Sequence, residues 1–166
     1  MGRSSGAFYR HYESKEALLH ELLGEFKQRL TLEVTKPMQA NEDPIQNLLQ
    51  RTGAFWRVYR ENWPIVTAAF QLSMRDEGFA TAWQSARQQG IRAMASVIRQ
   101  AQALGHAPGM DADLAASALC SMLEFTCYNW MATRGDFPNR DIDDATAIEV
   151  LSQLVVHAIG WRTSLK

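Results

Sequence analysis

Cysteine is scarce in this sequence, with two residues in 166. Cys120 and Cys127 stand two turns apart in an apolar helical pattern, too far along a straight helix to bridge. A disulfide scaffold is therefore excluded, and both are expected to be buried thiols of the kind a reducing cytosol permits. Catalytic signatures are missing as well. His11, His20, His106 and His157 are dispersed, with no pair at metal-binding helical spacing, and no Glu-x-x-His occurs. There is no Cys-x-x-Cys, no glycine-rich phosphate loop and no Gly-x-Ser-x-Gly elbow. The chain is expected not to be an enzyme, and it calls for no cofactor or metal.

Long apolar runs are also absent. No stretch approaches the ~18 residues of a membrane helix, and the first residues lack the apolar run of a signal peptide, so a cytoplasmic protein is expected. Neither charge sign dominates. Seventeen Lys and Arg face eighteen Asp and Glu, a formal net charge of −1, so no general basic surface draws this protein to nucleic acid, and any DNA contact must be local. No window alternates as a half-buried strand does, and there is no Asn-Gly hairpin, internal repeat, heptad array or low-complexity segment.

What is present is helical periodicity, interrupted by breakers. Hydrophobic residues make up 46%, enough for one folded domain with a sizeable core. Ser14 caps a helix through Leu18, Leu19, Leu22, Leu23, Phe26 and Leu30 to about Lys36, where Pro37 stops it. Asp43 and Pro44 open the next, through Leu48, Thr52, Phe55, Trp56 and Tyr59, and Asn62 with Pro64 is read as its end. A shorter helix through Val66, Phe70 and Met74 turns near Asp76 into a long one carrying Phe79, Trp83, Gly90, Met94 and Ile98. The Gly105 to Gly109 break precedes a helix capped at Asp111 or Asp113 that runs to Trp130. After a loop from Arg134 to Asn139, the last begins near Asp141 and repeats Ile148, Leu151, Leu154, Val155, Ala158 and Ile159. The fold class is all-α, with about seven helices, the first of them short.

The opening residues carry the most specific pattern: Gly2-Arg3-Ser4-Ser5-Gly6-Ala7-Phe8-Tyr9-Arg10-His11-Tyr12, then Ser14-Lys15-Glu16 opening the next helix. A short helix from Ser4 would present Ser4, Ser5 and Ala7 at its N-terminal end, small enough for the backbone to approach base edges. Tyr9 and His11 can donate to phosphate, and Lys15 adds a charge in a first turn whose amides favour anions. Arg3 and Arg10 supply a local basic bias, and Phe8 and Tyr12 are expected to be core residues packing against Leu18 and Leu19.

Taken together these residues resemble the end of the helix-turn-helix of the TetR-family transcriptional regulators, the tetracycline-repressor-like proteins. The resemblance implies a TetR-like helical bundle in which residues 1–36 hold part of the helix-turn-helix, its recognition helix at about 4–11, and a connecting helix. Residues 37–166 would form a ligand-binding and dimerisation domain. It implies DNA contacts at Arg3, Ser4, Ser5, Ala7, Tyr9, Arg10, His11 and Lys15. The family pattern places two helices ahead of the motif. Here only Met1 and Gly2 precede Arg3, a position usually aliphatic, so an N-terminally truncated member is expected, whose palindromic operator DNA needs the missing helices.

The function so implied is a transcriptional repressor, homodimeric, whose hold on operator DNA is controlled by a small effector. The alternative is a ligand-binding and dimerisation module without DNA binding of its own. Phe55, Tyr59, Phe70, Met74, Met94, Ile98, Phe125 and Asn129 lie on core-facing stripes and mix the aromatic, soft and polar character of ligand pockets. With no concentrated charge among them, they favour an apolar or aromatic ligand. The dimer face is placed on Leu151, Leu154, Val155, Ala158, Ile159 and Arg162, an apolar face broader than one bundle contact needs.

Overall fold

The computed structural model describes residues 12–35, 44–107 and 109–160. Among these the regular structure is all helical, in five helices and one π-helical turn: α1 Lys15–Val34, α2 Pro44–Ser73, α3 Glu77–Ala103, α4 Ala112–Cys127 continuing as π turns over Tyr128–Thr133, and α5 Asp144–Ala158. No described helix is long and apolar enough to cross a membrane.

Helix starts follow short-range chemistry. The first amides of a helix lack intrahelical partners, and an Asp or Ser oxygen can accept from them. Ser14 Oγ accepts from Ala17 N at 3.0 Å, Asp76 Oδ1 from Phe79 N at 2.9 Å, and Asp111 Oδ1 from Asp113 N and Leu114 N. Asp143 caps α5 through Thr146, which places that start at Asp144 rather than near Asp141. Between α3 and α4 the backbone turns through Gly105, Ala107 and Gly109, all at positive φ. Gln102 pins that turn by donating to the carbonyls of Ala107 and Met110.

One expected boundary does not exist. Asn62 and Pro64 do not end a helix, because α2 runs without a break from Pro44 to Ser73 with Pro64 inside it. A proline there deprives the carbonyl four residues back of its donor. That carbonyl belongs to Arg60, an exposed residue, so water can take the vacant acceptor. Burial of Val58, Tyr59, Val66 and Ala69 on both sides of the proline outweighs the local penalty.

The 30-residue α2 is the central element, packed by α1 and α3, by α5, and by the π turn. The inner stripe of α5, Ala147, Leu151, Val155 and Ile159, is wholly buried, and its contacts are with α2. Trp56, 1% exposed, ties three elements together. Its indole N–H donates to Asp144 Oδ1 at 2.7 Å, and its ring meets Trp130 of the π turn edge to face. Arg60 pairs with the same Asp144 carboxylate.

This clamp has a pH consequence. The Trp56 N–H, and after it Arg60, holds the Asp144 carboxyl below its ordinary value of 3.8. A depressed folded-state value adds stability above the unfolded-state pKa, and that contribution is lost as pH falls through the folded one. Asp144→Asn keeps an oxygen for the indole but removes the charge. It is expected to cost about 1 kcal/mol at pH 7 and to lose less further stability than the parent below about pH 4. Urea midpoints at pH 7 and pH 3 measure both effects, and an unchanged acid limb would count against the clamp.

Candidate functional site

Four helices enclose a cavity of about 130 Å³ that opens to solvent on one side. Its walls are mostly apolar, with Phe26, Leu30 and Val34 from α1, Leu48, Phe55, Tyr59 and Val66 from α2, Trp83, Met94 and Val97 from α3, and Cys120 and Leu123 from α4. A second space of about 240 Å³ adjoins it, lined by Phe70, Ser121, Phe125 and Tyr128. Tyr59, Trp83, Arg87 and Glu124 line both, so these four residues form the boundary between the two.

The wall on α3 follows from helical spacing. Trp83, Arg87, Gly90, Met94 and Val97 recur at four- and three-residue steps, one face of the helix. Gly90 needs no unusual backbone. A Cβ there would meet only Cys120 Sγ, at 4.0 Å, so the missing side chain leaves room in the wall.

Polar groups at the cavity are nearly all engaged. Arg87 pairs with Glu124 and donates to Ser121 Oγ at 2.9 Å. Lys27 Nζ stands 3.5 Å from the Ala82 carbonyl, Arg51 Nε donates to Asn47 Oδ1, and Thr31 Oγ1 to Gln89 Oε1. Burial pushes the Cys120 thiol up to about 11, with the Arg87 charge pulling the other way, and burial also raises Cys127. Both therefore stay protonated and behave as small apolar groups. The Tyr59 phenol is likewise lifted well above its usual value, chiefly by burial.

The structure distributes the sequence-derived pocket residues unevenly. Phe55, Tyr59 and Met94 line the main cavity, and Phe70 and Phe125 line the neighbouring one. Ile98 is fully buried in the core, whereas Met74 is 67% exposed. Asn129 lies in the π turn, and its carbonyl accepts from Thr133 Oγ1. Sequence reasoning missed the contribution of α1 and the polar boundary pair Arg87 and Glu124. The α3 stripe of Trp83, Arg87 and Gly90 was the available signal.

Lys15 is the first residue of α1 and is exposed. The other DNA-facing candidates, Arg3, Ser4, Ser5, Ala7, Tyr9, Arg10 and His11, lie outside the described residues, as does Arg162. On α5, Leu151, Val155 and Ile159 are buried within their own chain, while Leu154 is 48% exposed and Ala158 is also exposed. Val150 shares that outer stripe. On α4 the spacing of Leu114, Ala118, Ser121 and Phe125 makes a second exposed stripe. Among the described residues no cluster of His, Cys, Asp or Glu is placed to hold a metal.

No protein-family model matches the sequence, and no curated protein matches it. Solved structures do. The TetR family transcriptional regulator PfmR from Thermus thermophilus matches with a TM-score of 0.73 at 21% identity, over 96% of this chain and 84% of that one. A protein of Syntrophomonas wolfei assigned to the TetR-family transcriptional regulators matches at 0.69 and 14% identity, over 98% of this chain and 81% of that one. GusR of Salmonella enterica matches at 0.61 and 21% identity, over 94% and 78%. Helix order, the cavity-bearing bundle and these likenesses agree: this chain has the fold of the TetR-family transcriptional regulators.

Proposed function

We propose that this chain is a homodimeric TetR-family transcriptional regulator, a repressor whose grip on operator DNA is governed by a small apolar or aromatic ligand in the α1–α4 cavity. The observation that carries this reading is the position of α1. Phe26, Leu30 and Val34 are cavity wall, and the same helix begins at Lys15, immediately after the residues that resemble a recognition helix. Eleven residues of helix, roughly 16 Å, join wall to head, so a ligand that shifts α1 also shifts the DNA-facing end. The cavity is on the scale that holds a benzene-sized molecule, and its walls are chemically suited to one.

The decisive test is a mobility-shift assay on DNA flanking the gene, run with the two helices that the family pattern places ahead of Arg3 joined to this chain. A retarded band is expected, and a compound that raises the melting temperature should release it. No retarded band on any flanking fragment would overturn regulation by direct DNA binding.

Dimerisation through α4 and α5 rests on their outer stripes, where Leu114, Phe125, Val150 and Leu154 are exposed, since several large exposed apolar side chains on one helix pair favour an interface. The double variant Val150→Glu, Leu154→Glu leaves the inner stripe of α5 intact and places two charges where a symmetric partner would sit. It is expected to weaken self-association by roughly 100-fold or more, on the order of 3 kcal/mol, giving a monomer in light scattering. A variant that remains as dimeric as the parent would remove α5 from the interface.

A further inference from the structure

Tyr59 combines two properties that no other hydroxyl-bearing cavity residue shares among the described residues. The residue is 3% exposed, yet its hydroxyl makes no hydrogen bond among the described residues and is not one of the sealed oxygens, which there are Thr67 Oγ1 and Ser152 Oγ. An oxygen that is unbonded but still reachable, on a ring that lines both spaces, opens onto the cavity. A buried hydroxyl without a partner is costly, and ligand sites fix orientation with a few such groups.

Building on the ligand-cavity reading above, we propose that the Tyr59 hydroxyl is the donor that orients the effector, and that the effector is a compact, one-ring apolar molecule bearing a neutral acceptor such as a carbonyl. The neutrality follows from the surroundings: the titratable groups beside the hydroxyl are the Cys127 thiol and the Tyr128 phenol, neither of them a cation, and the cavity's own cations are engaged. Arg87 is already held by Glu124 and Ser121, and Lys27 and Arg51 are turned to Ala82 and Asn47. A carboxylate beside Glu124 would meet a like charge. The phenol, held protonated by burial, remains a donor across the physiological range. The size follows from the roughly 130 Å³ of the inner space, which a single ring fills while its acceptor faces the boundary with the second space.

Binding of acetophenone, ethylbenzene and benzoate to the full chain and to Tyr59→Phe, followed by chemical-shift titration, tests this. The parent should prefer acetophenone over ethylbenzene by roughly fivefold, the value of one net hydrogen bond. Tyr59→Phe should lose that preference while holding ethylbenzene within about twofold, because only an unbonded hydroxyl is deleted. Equal acetophenone affinity in parent and variant overturns the role of Tyr59. Benzoate binding more tightly than acetophenone overturns the neutral acceptor and points to released Lys27 or Arg51. A folded parent that binds none of the three overturns the ligand-cavity reading itself, an outcome distinct from either of these.

Discussion

Met94→Trp is expected to abolish ligand-induced thermal stabilisation while leaving the chain folded. Met94 projects from α3 into the inner cavity and is only partly buried, so a larger ring there extends into empty space rather than into packed core. Overpacking costs typically about 1–3 kcal/mol, and partial filling of a void offsets some of that. Exclusion of the ligand is the larger effect. A compound present at about 100 times its Kd stabilises by roughly 2.7 kcal/mol, and all of this should vanish. Met74→Trp is the matched control, because Met74 lies in the turn between α2 and α3, is 67% exposed and lines neither space. Melting curves with and without compound distinguish the two. Undiminished stabilisation in Met94→Trp would place the ligand elsewhere.

Trp56→Ala should be the most destabilising single change described, by about 3–5 kcal/mol. The large side chain is 1% exposed, so its removal leaves a void as well as forfeiting transfer energy. It also strips Asp144 of its indole donor and Trp130 of one of its two ring partners, leaving Phe137, loosening α5 and the π turn at once. A domain with a total stability of about 5–15 kcal/mol would lose a large share. Trp56→Phe retains most of the volume and separates the packing loss from that of the hydrogen bond. Denaturant midpoints for the two variants give the split, and a cost under about 1 kcal/mol for alanine would show that the site collapses around the gap.

Local signals were legible in the sequence, and convergent ones were not. The cap at Ser14, and Asp111 as one of two candidates beside Asp113, were legible because a cap is satisfied within three residues. The turn at Gly105 to Gly109 was legible through glycines that must take positive φ. Pro64 misled because proline is a breaker by local rules, while the packing that carries α2 past it comes from elements distant in sequence. The same limit governs the site. Met74 and Met94 have identical chemistry and both fall at helical spacing, yet only Met94 faces the cavity. Which stripe of a helix meets a void, and which meets a neighbour, depends on the relative rotation of four helices. Arg87 and Glu124 are far apart in the sequence, so their meeting could not be read from either segment alone. The α5 stripe was read as one broad face, and the structure divides it into a buried row at Leu151, Val155 and Ile159 and an outer row at Val150, Leu154 and Ala158.

That division ties folding to abundance. The buried row of α5 secures the helix to α2, whereas in the proposed dimer a second copy covers the outer row, and anything bound solely by the native state adds stability by mass action. On that proposal the melting temperature is expected to rise with protein concentration. A regulator maintained at few copies would sit closer to its unfolding threshold than a concentrated sample suggests, and proteolysis would remove unpaired chains before paired ones.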